Sequence, residues 1–149
     1  MLADLLRRLS AQSEPEQLSP EDARRALAAL MVRLARSDEN YTPEERSRID
    51  RVLGETYGLA SGAAVRLRTE AEADEAEAPD TVQFTRVVKA AVPYEQRESV
   101  VEALWRVAAA DGINADEHSF LRLVANLVGV SDKDSGLARQ RALRGGGES

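Results

Sequence analysis

At 149 residues, 43% apolar and 31% charged, the chain is long enough for one domain with a buried core and too polar for a bundle of membrane spans. It contains no cysteine, which removes disulfide frameworks, zinc–thiolate and iron–sulfur sites and thiol catalysis together. Its formal net charge is −6 and its 20 basic residues are dispersed, so no basic stripe is available to grip a phosphate backbone and no nucleic-acid partner is expected.

The chain opens on MLADLLRRLSAQ. Asp4 and Arg7 interrupt the apolar stretch that a secretory signal requires, and no 18-residue apolar run occurs anywhere, so a cytoplasmic protein with no membrane span is expected. Leu2, Leu5, Leu6 and Leu9 have the spacing of a short amphipathic helix. Residues 10–18, polar and containing Pro15, read as a connector. Ser19-Pro20-Glu21-Asp22 then combines an N-cap, a proline at the first helical position and early acids. Leu27, Leu30, Met31 and Leu34 follow at core spacing, in a helix predicted to run to about Ser37. Thr42-Pro43-Glu44-Glu45 repeats the start signal as a capping box, in which Thr42 accepts from a backbone N–H three residues on and Glu45 reaches back. Ile49, Val52, Leu53 and Tyr57 form the apolar face of that helix, and Gly58 ends it.

A fourth helix is expected from Ser61, carrying Ala64, Val65, Leu67 and Arg68. It should dissolve into the run Glu70, Glu72, Asp74, Glu75 and Glu77, which contains no basic residue. That run is either a tail for a cation or basic partner or a solvated helix end and loop, and the second reading is the commoner fate of such segments. Asp80 caps a fifth helix with Val82, Phe84, Val87, Val88 and Ala91 inside. Pro93 opens a sixth, where Val100, Val101, Leu104, Trp105, Val107 and Ala108 make the most apolar stretch and the expected centre of the core. A seventh helix starts at Ala115 or Asp116, carries Phe120, Leu121, Val124, Leu127 and Val128, and stops at Gly129. Ser131 and Asp134 box the last helix. The domain organisation read from this pass is a short helix and connector over 1–18, one helical domain over 19–143 and a disordered tail over 144–149.

A repeat runs through the pattern. Leu30–Asp38 and Leu104–Asp111 are each an apolar helix end that stops at an aspartate, followed by a short polar loop and a glutamate opening the next helix. The pairs are Asp38 with Glu45 and Asp111 with Glu117, and both following helices close alike, at Tyr57-Gly58-Leu59 and Val128-Gly129-Val130. Two helix–loop–helix hairpins half a chain apart predict an all-α fold of seven to eight helices with internal pseudo-two-fold symmetry.

The stretch Ala109-Ala110-Asp111-Gly112, its short loop, Glu117, Phe120-Leu121-Arg122-Leu123-Val124-Ala125 and Gly129-Val130-Ser131, with the weaker first copy, resembles the TerB family of tellurite-resistance-associated proteins over roughly Ala26 to Leu143. The resemblance implies a single all-helical bundle built from two related hairpins, a place in bacterial stress systems, and a metal-chelating role for Asp38, Glu45, Asp111 and Glu117. The chain departs from the family pattern where Asp38-Glu39 replaces the usual Asp-Gly, and its second loop is one residue shorter.

Carboxylates from two hairpin tips form the oxygen set that a hard divalent cation, Ca²⁺ or Mg²⁺, prefers, with Asn40 and Asn114 as further oxygen donors. An aspartate at a helix C-terminus also faces the negative end of the macrodipole, at a cost of up to about 1 kcal/mol, so each requires compensation. The same residues are accounted for as local staples, the commoner role of such acids: Glu45 closes a capping box, and both aspartates can accept loop N–H groups. An EF-hand is excluded, since counting from Asp38 sets Pro43 and Ile49 at its glycine and glutamate positions, and counting from Asp111 sets Asp116 and Arg122 there. His118, the one histidine, reads as a surface residue in a first turn, and Trp105 as core. No nucleophile–base motif or phosphate-binding glycine loop is present, so no enzyme is expected. The expected function is a non-enzymatic accessory module that binds a divalent cation or a protein partner; the alternative is a helical interaction scaffold, monomeric or homodimeric, whose acids serve caps and solubility.

Overall fold

The computed structural model describes residues 19–37, 40–109 and 113–147. The expected first helix at Leu2–Leu9, its connector, Asp38 and Asp111 lie outside the described residues. Within them the chain is all-α, seven helices packed into a bundle and no strand: α1 (Pro20–Arg36), α2 (Pro43–Tyr57), α3 (Ser61–Glu77), α4 (Val82–Ala91), α5 (Tyr94–Ala109), α6 (Ala115–Leu127) and α7 (Asp132–Gly147). The last of these continues through residues 144–147, which the sequence marks as tail.

The middle of helix α1 is buried on every side. Ala26 to Val32 are seven consecutive residues at 0% exposure, a pattern that arises only when neighbours surround a helix. Ala26, Ala28 and Ala29 make this geometry feasible, because methyl side chains let α3, α4 and α5 approach closely. Helix α5, expected as the centre, shares that role: Val101, Leu104, Trp105 and Val107 join the α1 residues in one continuous core with Phe84, Val87 and Val88 of α4 and Leu121 and Val124 of α6.

The packing order repeats. Helix α1 makes its most extensive contact with α3 and α5 its most extensive contact with α7, while α2 and α6 close the two hairpins. Helix α2 also lies against α5, and α4 spans from α1 to α6, so the two halves interlock. Both hairpins close in the left-handed region, at Gly58 (φ 64°) and Gly129 (φ 85°). The backbone N–H of Leu59 donates to Gly54 O at 3.0 Å and that of Val130 to Ala125 O at 2.8 Å, returning the chain across the helix end.

Helix α3 departs from the expectation that it dissolves after Arg68. It continues to Glu77, because two of its acids are not left to solvent: Asp74 is fully buried and Glu75 mostly so, each against arginines of α1. Charge complementarity replaces the apolar stripe that this helix lacks, its buried residues being Ala64, Ala71 and Asp74.

Candidate functional site

Both hairpins present their glutamate in the same local device. At the start of α2, Thr42 Oγ1 accepts from the Glu45 N–H at 3.1 Å and Glu45 Oε1 accepts from the Thr42 N–H at 2.8 Å. At the start of α6, Asn114 Oδ1 accepts from the Glu117 N–H at 2.8 Å and Glu117 Oε1 accepts from the Asn114 N–H at 3.1 Å. Each box satisfies two backbone donors that a helix start leaves open. Asn114, an expected extra cation ligand, is thus the N-cap of α6; the position was legible as Asn-x-x-Glu, one residue before the start read from the sequence.

Of the four expected metal-site residues, the described part of the chain contains Glu45 and Glu117, both oxygen donors suited to a hard cation and both engaged in helix caps. Among the described residues, α2 and α6 do not pack extensively on one another. Among the described residues no three carboxylate or imidazole side chains converge as a metal site, and no helix is long and apolar enough to cross a membrane.

The largest convergence of charge lies elsewhere, in a seam between α1 and α3. Arg25 grips the Asp74 carboxylate with both Nε and Nη2, the latter at 3.0 Å, and that hydrogen bond, opposed by burial, raises the Arg25 pKa. Glu75 accepts from Arg33 Nε at 2.9 Å and Arg36 Nη1 at 2.7 Å, while Arg33 Nη2 also donates to Ala78 O at 2.9 Å and so fixes the end of α3. Farther along, Arg68 bridges Asp50 of α2 at 2.6 Å and Glu72 of α3 at 2.7 Å. Burial by itself pulls the Arg68 guanidinium down, but these two hydrogen bonds hold its pKa well above the ordinary value.

Tyr41 ties the seam to the first acidic loop. Its hydroxyl donates to Glu72 Oε2 at 2.6 Å, and the guanidinium groups of Arg36 and Arg46 lie 5.1 and 5.3 Å from its ring centroid, within cation–π range. Burial, then the bond to Glu72, raises the Tyr41 pKa. In the sequence this anchor stands three residues after Asp38. Sequence reading took the acidic run as a solvated end and missed this partnership. The signal was present in the complementary stripes Arg25, Arg33, Arg36 and Arg68, Glu72, Glu75, each with near-helical spacing.

The second hairpin is built on Trp105, which is 4% exposed and belongs to the core as expected. Its Nε1–H donates to Ser135 Oγ at 3.2 Å, joining α5 to α7. His118 approaches edge-on, with ring centroids 5.3 Å apart, and the Arg139 guanidinium lies 5.7 Å from the ring centroid. His118 is otherwise exposed at the first turn of α6, as its sequence position suggested.

A family model described as Tellurite resistance protein TerB matches residues 24–140 of the chain, from the first turns of α1 into α7. No curated protein and no solved structure matches it.

Proposed function

The chain belongs to the TerB family, and from that premise we propose that it serves as a non-enzymatic accessory module of a bacterial stress response, working as a helical scaffold for a protein partner. The observation that carries this reading is the commitment of Glu45 and Glu117 to helix caps. Two of the four acids in the proposed cation set are thereby explained as parts of the frame, and no other acid cluster among the described residues substitutes for them. A scaffold needs stiff elements, and the guanidinium–carboxylate seam and the interlocked core supply them.

The competing reading, favoured by the recurrence of the same capped acidic hairpin in both halves, has Asp38, Glu45, Asp111 and Glu117 holding Ca²⁺ or Mg²⁺. One experiment separates the two: thermal unfolding of the full chain against increasing Ca²⁺, Mg²⁺, Mn²⁺ and Zn²⁺, repeated with Asp38→Asn/Asp111→Asn. An ion bound to the native state stabilises it by about 2.7 kcal/mol at a hundredfold excess over Kd. The scaffold reading expects no saturable rise in midpoint for any ion. A saturable rise that the double substitution abolishes would overturn it and establish the chelating module.

A further inference from the structure

Helix α6 carries more apolar surface than the core takes up. Leu121, Val124 and Ala125 are buried, while Phe120, Leu123 and Leu127 stand at i, i+3 and i+7 and make a second stripe along one flank. Phe120 and Leu127 are half-buried and Leu123 is 49% exposed. The opposite flank belongs to α7 and Trp105, since Arg122 pairs with Asp132 at 3.3 Å and His118 meets the Trp105 ring. The stripe therefore lies on the side of α6 that faces α4, which also packs against it. Arg97 joins the ends of these two helices, its Nη2 donating to Lys89 O at 3.0 Å and its Nη1 lying 3.5 Å from Val128 O. Along the solvent side of α4, Val82 is 38% exposed, and Arg86 and Lys89 are exposed about one turn apart. Neither cation forms an ion pair among the described residues. No acid occurs in Val82–Ala91, and from Phe120 to Ser131 the only charge is Arg122.

We propose that this α4–α6 face docks an acidic amphipathic helix of a partner protein, with the partner's apolar side chains on Phe120, Leu123 and Leu127 and its carboxylates opposite Arg86 and Lys89. An exposed apolar stripe with a charged rim has the anatomy of a specific interface. Its length fits a docked helix: seven residues rise about 10 Å, the two turns over which such a helix presents its anchors. Charge selects the occupant. The whole chain is at −6, yet the rim of this face is positive, so it steers and orients a segment of the opposite sign. A second copy meeting this face about a two-fold axis would oppose two rims of the same sign, which repel. The inference rests on the scaffold reading for the nature of the partner and adds the face and its chemistry; the ion titration decides that reading and leaves this face untested, so the two fail separately.

The probe is a synthetic peptide of about 18 residues, above the length at which isolated helices become marginal, with leucines at helical spacing and glutamates elsewhere; its twin has lysine for each glutamate. Amide shifts of the isotope-labelled full chain are followed as each peptide is added. The acidic peptide should give saturable shifts centred on Val82, Arg86, Lys89, Leu123 and Leu127, and the lysine peptide none. Leu123→Ser should weaken binding about tenfold, whereas Leu137→Ser, at a leucine of α7 that is 42% exposed, should leave it unchanged. Arg86→Glu/Lys89→Glu should abolish binding of the acidic peptide and confer binding of the lysine peptide. These substitutions alter exposed side chains, and an unchanged unfolding midpoint checks that each variant keeps its fold. No response to the acidic peptide, equal responses to both, shifts centred elsewhere, or no transfer of preference after charge reversal would overturn the proposal. The same shifts on concentrating the chain alone would also overturn it, making a second copy the occupant. So would the same shifts on adding phosphatidylglycerol vesicles without peptide, which would make the occupant a membrane surface.

Discussion

Asp74 is a charged side chain at 0% exposure. A buried carboxylate is tolerable only when a cation and hydrogen bonds replace its lost hydration, and Arg25 supplies both with a two-pronged grip. Arg25→Ala should therefore destabilise the fold by about 3 to 5 kcal/mol in denaturant unfolding, whereas Arg25→Met with Asp74→Leu, which removes the charge together with its partner, should recover most of that loss. Recovery no better than the single substitution would place the importance of the arginine in packing alone. Tyr57 makes the corresponding case for protons. Burial, partly opposed by Arg24, pushes its hydroxyl up to about 12, so the folded state keeps a proton that the unfolded chain gives up near pH 10. The contribution to stability is intact below pH 10 and is lost as pH rises from 10 towards 12. Unfolding midpoints should fall across that window, and Tyr57→Phe should flatten the fall; an unchanged slope would assign the alkaline loss to other groups, Tyr41 first among them.

Among the elements, α2 and α6 show what short-range chemistry decides by itself. Each begins where a Thr or Asn is followed three residues later by Glu, and each does so because the reciprocal hydrogen bonds satisfy donors that water would otherwise have to serve. Asn114→Ala should cost about 1 kcal/mol of stability, and Asn114→Asp close to nothing, since Asp caps as well as Asn. Equal losses for both would mean that the amide nitrogen of Asn114 carries a contact of its own. Helix α3 is the opposite case. Its own sequence has acids without bases from Glu70 to Glu77, an arrangement that repels itself in an isolated helix, and it persists to its full length with Asp74 and Glu75 paired to arginines of α1 and Glu72 to Arg68 and Tyr41. The end of the helix was therefore unreadable from the segment, although the two charge stripes that meet were each visible on their own helix.

Over the whole molecule, the two hairpins share one core. Helix α2 lies on α5 and α4 reaches from α1 to α6, so neither half retains its buried surface if the other opens. Leu104→Ala, at a position with 0% exposure, should cost about 2 to 5 kcal/mol and shift a single cooperative transition, with calorimetric and van't Hoff enthalpies still equal; two separated transitions would show that the halves fold independently. The family membership rests on this whole-chain pattern, since the match runs across both hairpins. Periodicity, caps and terminating glycines by themselves determined the all-α class, the seven described helices and most of their boundaries, because these features depend on interactions within a few residues along the chain. What only the tertiary structure decided is which faces are enclosed and which charges are paired: that the middle of α1 is surrounded on every side, that the acidic end of α3 is an ion-paired seam, and that the exposed cations of α4 stand beside an apolar stripe of α6. Each depends on groups brought together from distant parts of the sequence, where desolvation and charge pairing, not local propensity, set the free energy.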